Sequence, residues 1–159
     1  EPVDVAFFTL PHGVSHQYVP GHLAAGARCV DFSADYRFDD LGVYEAWYGP
    51  HGDPDNVGRA AYGIPELFRD GLAEARLVAN PGCYPTSVLL PAVPLIRERL
   101  VQPESLVADA KSGVSGAGRG ASTRSARAAA GSPLAVRAAS NASAEPSSRP
   151  STPASVMLL

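Results

Sequence analysis

Short apolar runs alternate along most of the chain with longer stretches in which apolar residues recur every three or four positions. Val3 to Leu10 is a brief run rich in β-branched and aromatic residues, which predicts a buried strand ending at Pro11-His12-Gly13. Residues 14–25 carry Val14, Tyr18, Val19 and Leu23 at helical spacing, and Gly26 follows as a stop signal. Cys29 to Ser33 predicts a second strand. Asp39 to Tyr48 predicts a helix with Val43, Tyr44 and Trp47 on one side. After a loop rich in Gly and Pro, Tyr62 to Phe68 reads as a turn and a short helix, and Ala75 to Ala79 as a third strand. Asn80-Pro81-Gly82-Cys83-Tyr84-Pro85-Thr86 then opens a helix running to about Leu100, in which Pro91 should produce a kink. Leu106 to Lys111 predicts a fourth strand, leading into the Gly-rich stretch Ser112 to Arg119.

Apolar strands alternating with helices predict an α/β fold whose parallel sheet is covered by helices on both faces. Ligands of such sheets bind beyond the carboxyl ends of the strands. Three loops are expected at that edge: Pro11-His12-Gly13, Ser33-Ala34-Asp35-Tyr36-Arg37, and Asn80 to Thr86.

The pattern ends near residue 120. Every aromatic residue lies at or before Tyr84, and Glu145 is the only acidic residue after Arg119. Such a segment cannot bury enough apolar surface to offset its ordering entropy, so residues 123–159 are expected to be a low-complexity, disordered tail. A natural tail and a shifted reading frame in a GC-rich gene would both yield this composition. Lys111 is the single lysine among many arginines, as GC-rich coding would produce. The chain opens with Glu1 and no signal-like segment, which suggests a fragment.

The formal net charge of -3 offers no basic field for nucleic acid. No apolar run approaches the ~18 residues of a membrane span. Two cysteines are too few for a disulfide framework, and a free thiol kept for chemistry suits a reducing cytoplasm. Cys29, in a strand-like run, reads as an inert buried thiol. Cys83 stands between a strand end and a helix start, where unpaired amides and the helix dipole favour thiolate. Pro85 suits the first turn, and Gly82 permits a sharp turn and leaves room for a substrate. On spacing alone a small core residue is the more ordinary reading of Cys83. His12 and His16 are the available bases for a Cys-His pair, although lining a cleft or the surface is the plainer role for both. His22 and His51 are expected to be solvated. No cluster has metal-ligand spacing.

Asn80 to Thr86 resembles the active-site signature of the N-acetyl-gamma-glutamyl-phosphate reductases of arginine biosynthesis. Pro11 to His16, Asp31 to Arg37, Tyr44 to Gly49, Tyr62 to Leu67 and Asp109 to Arg119 resemble the same family, in its order. The resemblance spans roughly residues 1–122. It implies the second half of a Rossmann NADP-binding domain over residues 1–103, the start of an α+β catalytic and dimerisation domain over 104–122, and the tail beyond. It also implies Cys83 as the nucleophile toward a small-molecule acyl phosphate, NADP(H) as cofactor, and a homo-oligomer at full length. Pro11, His12, Gly13, Ser115 and Gly116 would lie along the cofactor, and Arg37, Lys111, Ser112 and Arg119 would bind substrate. Arg37 could instead hold its loop by an ion pair with Asp35. The Gly-rich dinucleotide loop and the acid–base histidine of the family have no counterpart in these residues. Alternatives are a non-catalytic fragment, the related aminoadipyl-phosphate reductase of lysine biosynthesis, and a Cys-His acyl hydrolase or transferase.

Overall fold

The computed structural model describes residues 3–110. The chain divides into two compact units, Glu1–Leu90 and Pro91–Leu159. The expected disordered tail and the Gly-rich stretch from Lys111 onward lie outside the described residues.

The first unit is built on four strands, β1 (Val5–Phe8), β2 (Arg28–Asp31), β3 (Ala61–Tyr62) and β4 (Leu77–Ala79). They form one sheet in the order β1-β2-β4-β3, and every pair is parallel. This is the partial Rossmann-like α/β arrangement expected from the alternating pattern. Cys29 sits between Ala6 and Leu77, and Asp31 between Phe8 and Ala79, so these residues share a face. Phe8, Cys29, Leu77 and Ala79 close that face with Val19 and Tyr36 in one buried cluster. Each large apolar side chain buried in this way contributes about 1.5–3 kcal/mol. The opposite face is more open, with Phe7 66% exposed.

The stretch 14–25 divides into a 3-10 turn (Ser15–Gln17) and α1 (Val19–Ala24). Pro20 lies in the first turn of α1, where its missing N–H costs nothing. The helix ends as Gly26 predicts. Gly26 adopts φ +96°, its N–H donates to the Leu23 carbonyl, and the Ala27 N–H donates to the His22 carbonyl. These two bonds satisfy carbonyls that a helix end otherwise leaves open.

Helix α2 (Leu41–Tyr48) starts at Asp40, whose Oδ1 accepts the N–H groups of Gly42 and Val43. Tyr44 is its buried anchor, whereas Trp47, expected on the same side, is 61% exposed.

Two expectations fail. Tyr62 to Phe68 forms no helix: Tyr62 ends the two-residue β3, and turns follow. Leu106 to Ala110 pairs with no strand among the described residues. A two-residue strand is too short to leave a period, and an apolar run becomes a strand only where a partner completes its hydrogen bonds.

Helix α3 (Cys83–Arg97) continues unbroken through Pro91 and Pro94. Each proline removes one backbone donor. In the second unit the helix ends at Arg97, Arg99 beyond it takes φ +57°, and a 3-10 turn follows at Pro103–Ser105. No helix among the described residues is long and apolar enough to cross a membrane.

Candidate active site

The three loops beyond the carboxyl ends of β1, β2 and β4 are joined by hydrogen bonds of the first unit. The polar residues of Asp31-Phe32-Ser33-Ala34-Asp35 alternate inward. The Asp31 carboxylate accepts Ser33 N–H at 3.1 Å and Ser33 Oγ–H at 2.6 Å, and Ser33 Oγ accepts Asp35 N–H at 3.1 Å. All three side chains are buried, so each polar group needs the partner it has.

This loop is stitched to the β1 loop. His12 Nδ1 accepts the Ala34 N–H at 2.9 Å, which leaves the neutral His12 ring with its proton on Nε2. Asp35 accepts the Gly13 N–H at 2.7 Å and the His16 N–H at 3.2 Å. Gly13 has φ +77° and open space where a Cβ would stand. Leu10, Pro11 and His12 are exposed beside it. The His12 ring meets that of Tyr48 edge-on, with centroids 5.4 Å apart.

Cys83 is exposed and is the first residue of α3. Thr86 donates to the Gly82 carbonyl through its N–H and its hydroxyl, at 3.1 and 2.9 Å. The amides of Cys83 and Tyr84 precede that first helical bond and are left to other acceptors. Arg37 reaches the same turn. Its Nε donates to the Asn80 carbonyl at 2.8 Å and one terminal nitrogen, Nη2, to the Phe32 carbonyl at 2.7 Å. The other, Nη1, would stand 3.3 Å from a Cβ placed on Gly82. Gly82 lies outside the left-handed region, so close approach by the guanidinium, and not an unusual turn, is what its missing side chain permits.

Asp35 and Arg37 form no ion pair: the Asp35 carboxylate is occupied by the β1 loop and by Tyr44, and Arg37 by carbonyls. Among the described residues no histidine hydrogen-bonds to Cys83. His16 is buried against Asp35, with Nδ1 3.7 Å from Oδ2. His51, expected in solvent, is buried. Its Nδ1 accepts the Asp53 N–H at 3.0 Å and its Nε2 donates to the Asp35 carbonyl at 2.8 Å. Its surroundings are aromatic: the rings of His16 and Tyr44 lie 4.7 Å away and that of Tyr36 5.3 Å away. Lys111, Ser112, Ser115, Gly116 and Arg119 lie outside the described residues. No group of metal-ligating residues occurs among the described ones.

Burial decides the electrostatics of this unit. It pushes the Tyr36 phenol far above the ordinary tyrosine value, reinforced by the Asp53 carboxylate to which the phenol donates at 2.7 Å. Tyr44 is raised likewise, by burial first and then by the charge of Asp35. Burial also raises the Cys29 thiol, with Arg76 opposing and Asp31 adding to the shift. Cys29 is thus the protonated, buried thiol expected of it, and Cys83 the accessible one.

Sequence patterns single out neither Asp35 nor Tyr44 and His51 as a connected group.

Comparison with known proteins agrees with this architecture. Residues 1–75 match the semialdehyde dehydrogenase NAD-binding domain, and residues 83–137 match the semialdehyde dehydrogenase dimerisation domain. The chain is 54% identical over 121 residues to a protein of Geobacter metallireducens named N-acetyl-gamma-glutamyl-phosphate reductase, an alignment covering 76% of this chain and 35% of the relative. A protein of the same name from Syntrophobacter fumaroxidans is 56% identical over 119 residues, covering 75% and 35%. One from Nitrosospira multiformis is 52% identical over 122 residues, covering 76% and 36%. The chain thus spans just over a third of the length of these relatives. Both matches, taken with the parallel sheet found within the first of them, establish that the chain belongs to the semialdehyde dehydrogenase family.

Proposed function

We propose that this chain carries the nucleophilic half of an N-acetyl-gamma-glutamyl-phosphate reductase, a cytoplasmic enzyme of arginine biosynthesis. The observation that carries the proposal is the pairing of an exposed Cys83 at the start of α3 with an Arg37 guanidinium held beside Gly82. The name borne by its relatives supplies the substrate class.

The Cys83 thiolate attacks the acyl carbon of the acyl phosphate, a mixed anhydride, forming a C–S bond as the C–O bond to phosphate breaks. Phosphate leaves and the acyl group remains as a thioester. Arg37 holds the departing phosphate: two of its three nitrogens are fixed on backbone carbonyls, and the third, Nη1, stays beside Gly82 in the cysteine turn. The Cys83 and Tyr84 amides stabilise the oxyanion that develops on the acyl oxygen. When bound, NADP(H) would supply hydride to the acyl group held on Cys83. Cys83 would then serve as the leaving group, releasing the reduced acyl group as the semialdehyde and returning to thiolate.

The β1 loop fits such a cofactor. It is open around Gly13, presents the His12 Nε2–H as a donor of defined tautomer, and carries exposed apolar surface on Leu10 and Pro11. Gly13 contributes space, because its own N–H is spent on Asp35. Lys111, Ser112 and Arg119 would add charge and amides to the substrate side, and Ser115 and Gly116 would border the cofactor. The dimerisation-domain match supports self-association of the complete enzyme.

The test is to mix the protein with an acyl phosphate, find the acyl adduct by intact mass, and then add NADPH and follow its absorbance. The expected result is an adduct on Cys83 that Cys83→Ser abolishes, followed by NADPH consumption. An adduct lost by hydrolysis without NADPH would favour a hydrolase, and no adduct would favour a non-catalytic chain.

A further inference from the structure

The loops proposed to serve cofactor and substrate come from different strands, and one buried side chain joins them. Asp35 is 1% exposed. Its Oδ1 accepts the Gly13 N–H at 2.7 Å and the Tyr44 phenol at 3.1 Å, while Oδ2 accepts the His16 N–H at 3.2 Å. Its carbonyl accepts His51 Nε2–H, and its own N–H donates to Ser33 Oγ. Two residues on, Arg37 reaches the cysteine turn.

We propose that Asp35 is a positioning residue, whose carboxylate holds the Pro11–Gly13 loop against the Arg37 loop and thereby sets the affinity for the nicotinamide dinucleotide. The physical basis is the count of acceptors. Gly13 and His16 present two amides from one turn, and the two oxygens of the Asp35 carboxylate accept one each. Buried amides that lose their acceptor keep the full desolvation cost, so the turn would move to recover partners. Movement of Gly13 displaces His12, whose ring is tied to Ala34 on the facing loop. Asp35 itself needs no contact with the ligand.

This inference rests on the reading of Pro11–Gly13 as cofactor surface, and its test separates the two. Asp35→Asn keeps shape but replaces one acceptor by an NH₂ group. Three quantities are measured on the whole chain: the dissociation constant for NADPH, the rate of Cys83 alkylation by iodoacetamide, and amide exchange at residues 12–17 and 77–79. The variant should bind NADPH about tenfold more weakly, exchange about tenfold faster at 12–17, and keep the Cys83 rate and the β4 exchange within about twofold. That split between loop and nucleophile is not produced by a general loss of stability. Unchanged exchange at 12–17, or equal acceleration at 77–79, would overturn the proposal. So would unchanged NADPH affinity in a variant whose loop is loosened. If the parent chain takes up no NADPH, the cofactor reading falls while exchange still decides whether Asp35 holds the loop. Should Asp35→Asn not fold, Tyr44→Phe removes one donor from the same carboxylate. It should then accelerate exchange at 12–17 by about threefold; no change there would refute the role of Asp35.

Discussion

Gly82 is occupied by glycine for a reason one residue away from the chemistry. A Cβ there would stand 3.3 Å from Arg37 Nη1 and 3.5 Å from the Pro85 ring. Arg37 cannot easily yield, because Asn80 and Phe32 hold the rest of its guanidinium. Gly82→Ala should therefore weaken protection of Cys83 from alkylation by inorganic phosphate by about tenfold, since small displacements of a clamping group are costly. Its thermal midpoint should move little. Protection equal to that of the parent would mean that the guanidinium does not serve anion binding at this turn. Cys29 is the internal control: buried and raised in pKa, it should stay unlabelled while the fold persists.

Helix ends govern the next scale. Asp40 supplies both bonds of the α2 N-cap, and α2 carries Tyr44 to Asp35. Asp40→Ala should cost about 1 kcal/mol in denaturant unfolding. The end of α3 is imperfect in the opposite sense. Arg99 N–H donates to the Ile96 carbonyl and Leu100 N–H to the Leu95 carbonyl, the pattern seen after α1. Arg99, however, holds the left-handed position that Gly26 fills there. Arg99→Gly should stabilise this helix end by about 1 kcal/mol, visible as slower amide exchange at residues 97–100. Exchange that is unchanged or faster would show that the unfolded-state entropy of glycine outweighs the relief. Elements with strong apolar runs or capping residues were legible from sequence: β1, β2, β4, α2 and the start of α3 all occur where the pattern places them. β3 and the non-strand conformation of Leu106 to Ala110 were not, because strand identity there depends on a neighbour distant in the chain.

For the molecule as a whole, the phenols of the buried Tyr36 and Tyr44 and of the half-buried Tyr62 dictate the response to alkali. Tyr36, Tyr44 and Tyr62 are all raised above the ordinary value of 10.0, first by burial. The folded state therefore holds these protons more tightly than the unfolded chain. This stabilisation is complete below about pH 10 and is lost as pH rises above it, because unfolding then releases protons. The urea midpoint should be flat up to about pH 9 and fall beyond about pH 10, with the tyrosinate absorbance of these three residues appearing together with unfolding. Tyrosinate that develops fully in folded protein would contradict the buried placement of these rings.

Local chemistry, legible in the sequence alone, determined the alternation of apolar strands and helices, the Gly26 helix stop, the quiet role of Cys29 and the candidacy of Cys83. These depend on period, conformational freedom and neighbouring residues, all of which are short-range. Tertiary structure decided which polar residues meet. Only folding brings Asp35 to Gly13, Arg37 to the cysteine turn and His51 into an aromatic pocket, since a buried hydrogen bond is set by the chain segment that completes it. The same dependence made Arg37 a partner of carbonyls and not of Asp35: the carboxylate was already satisfied by amides that the β1 loop delivers.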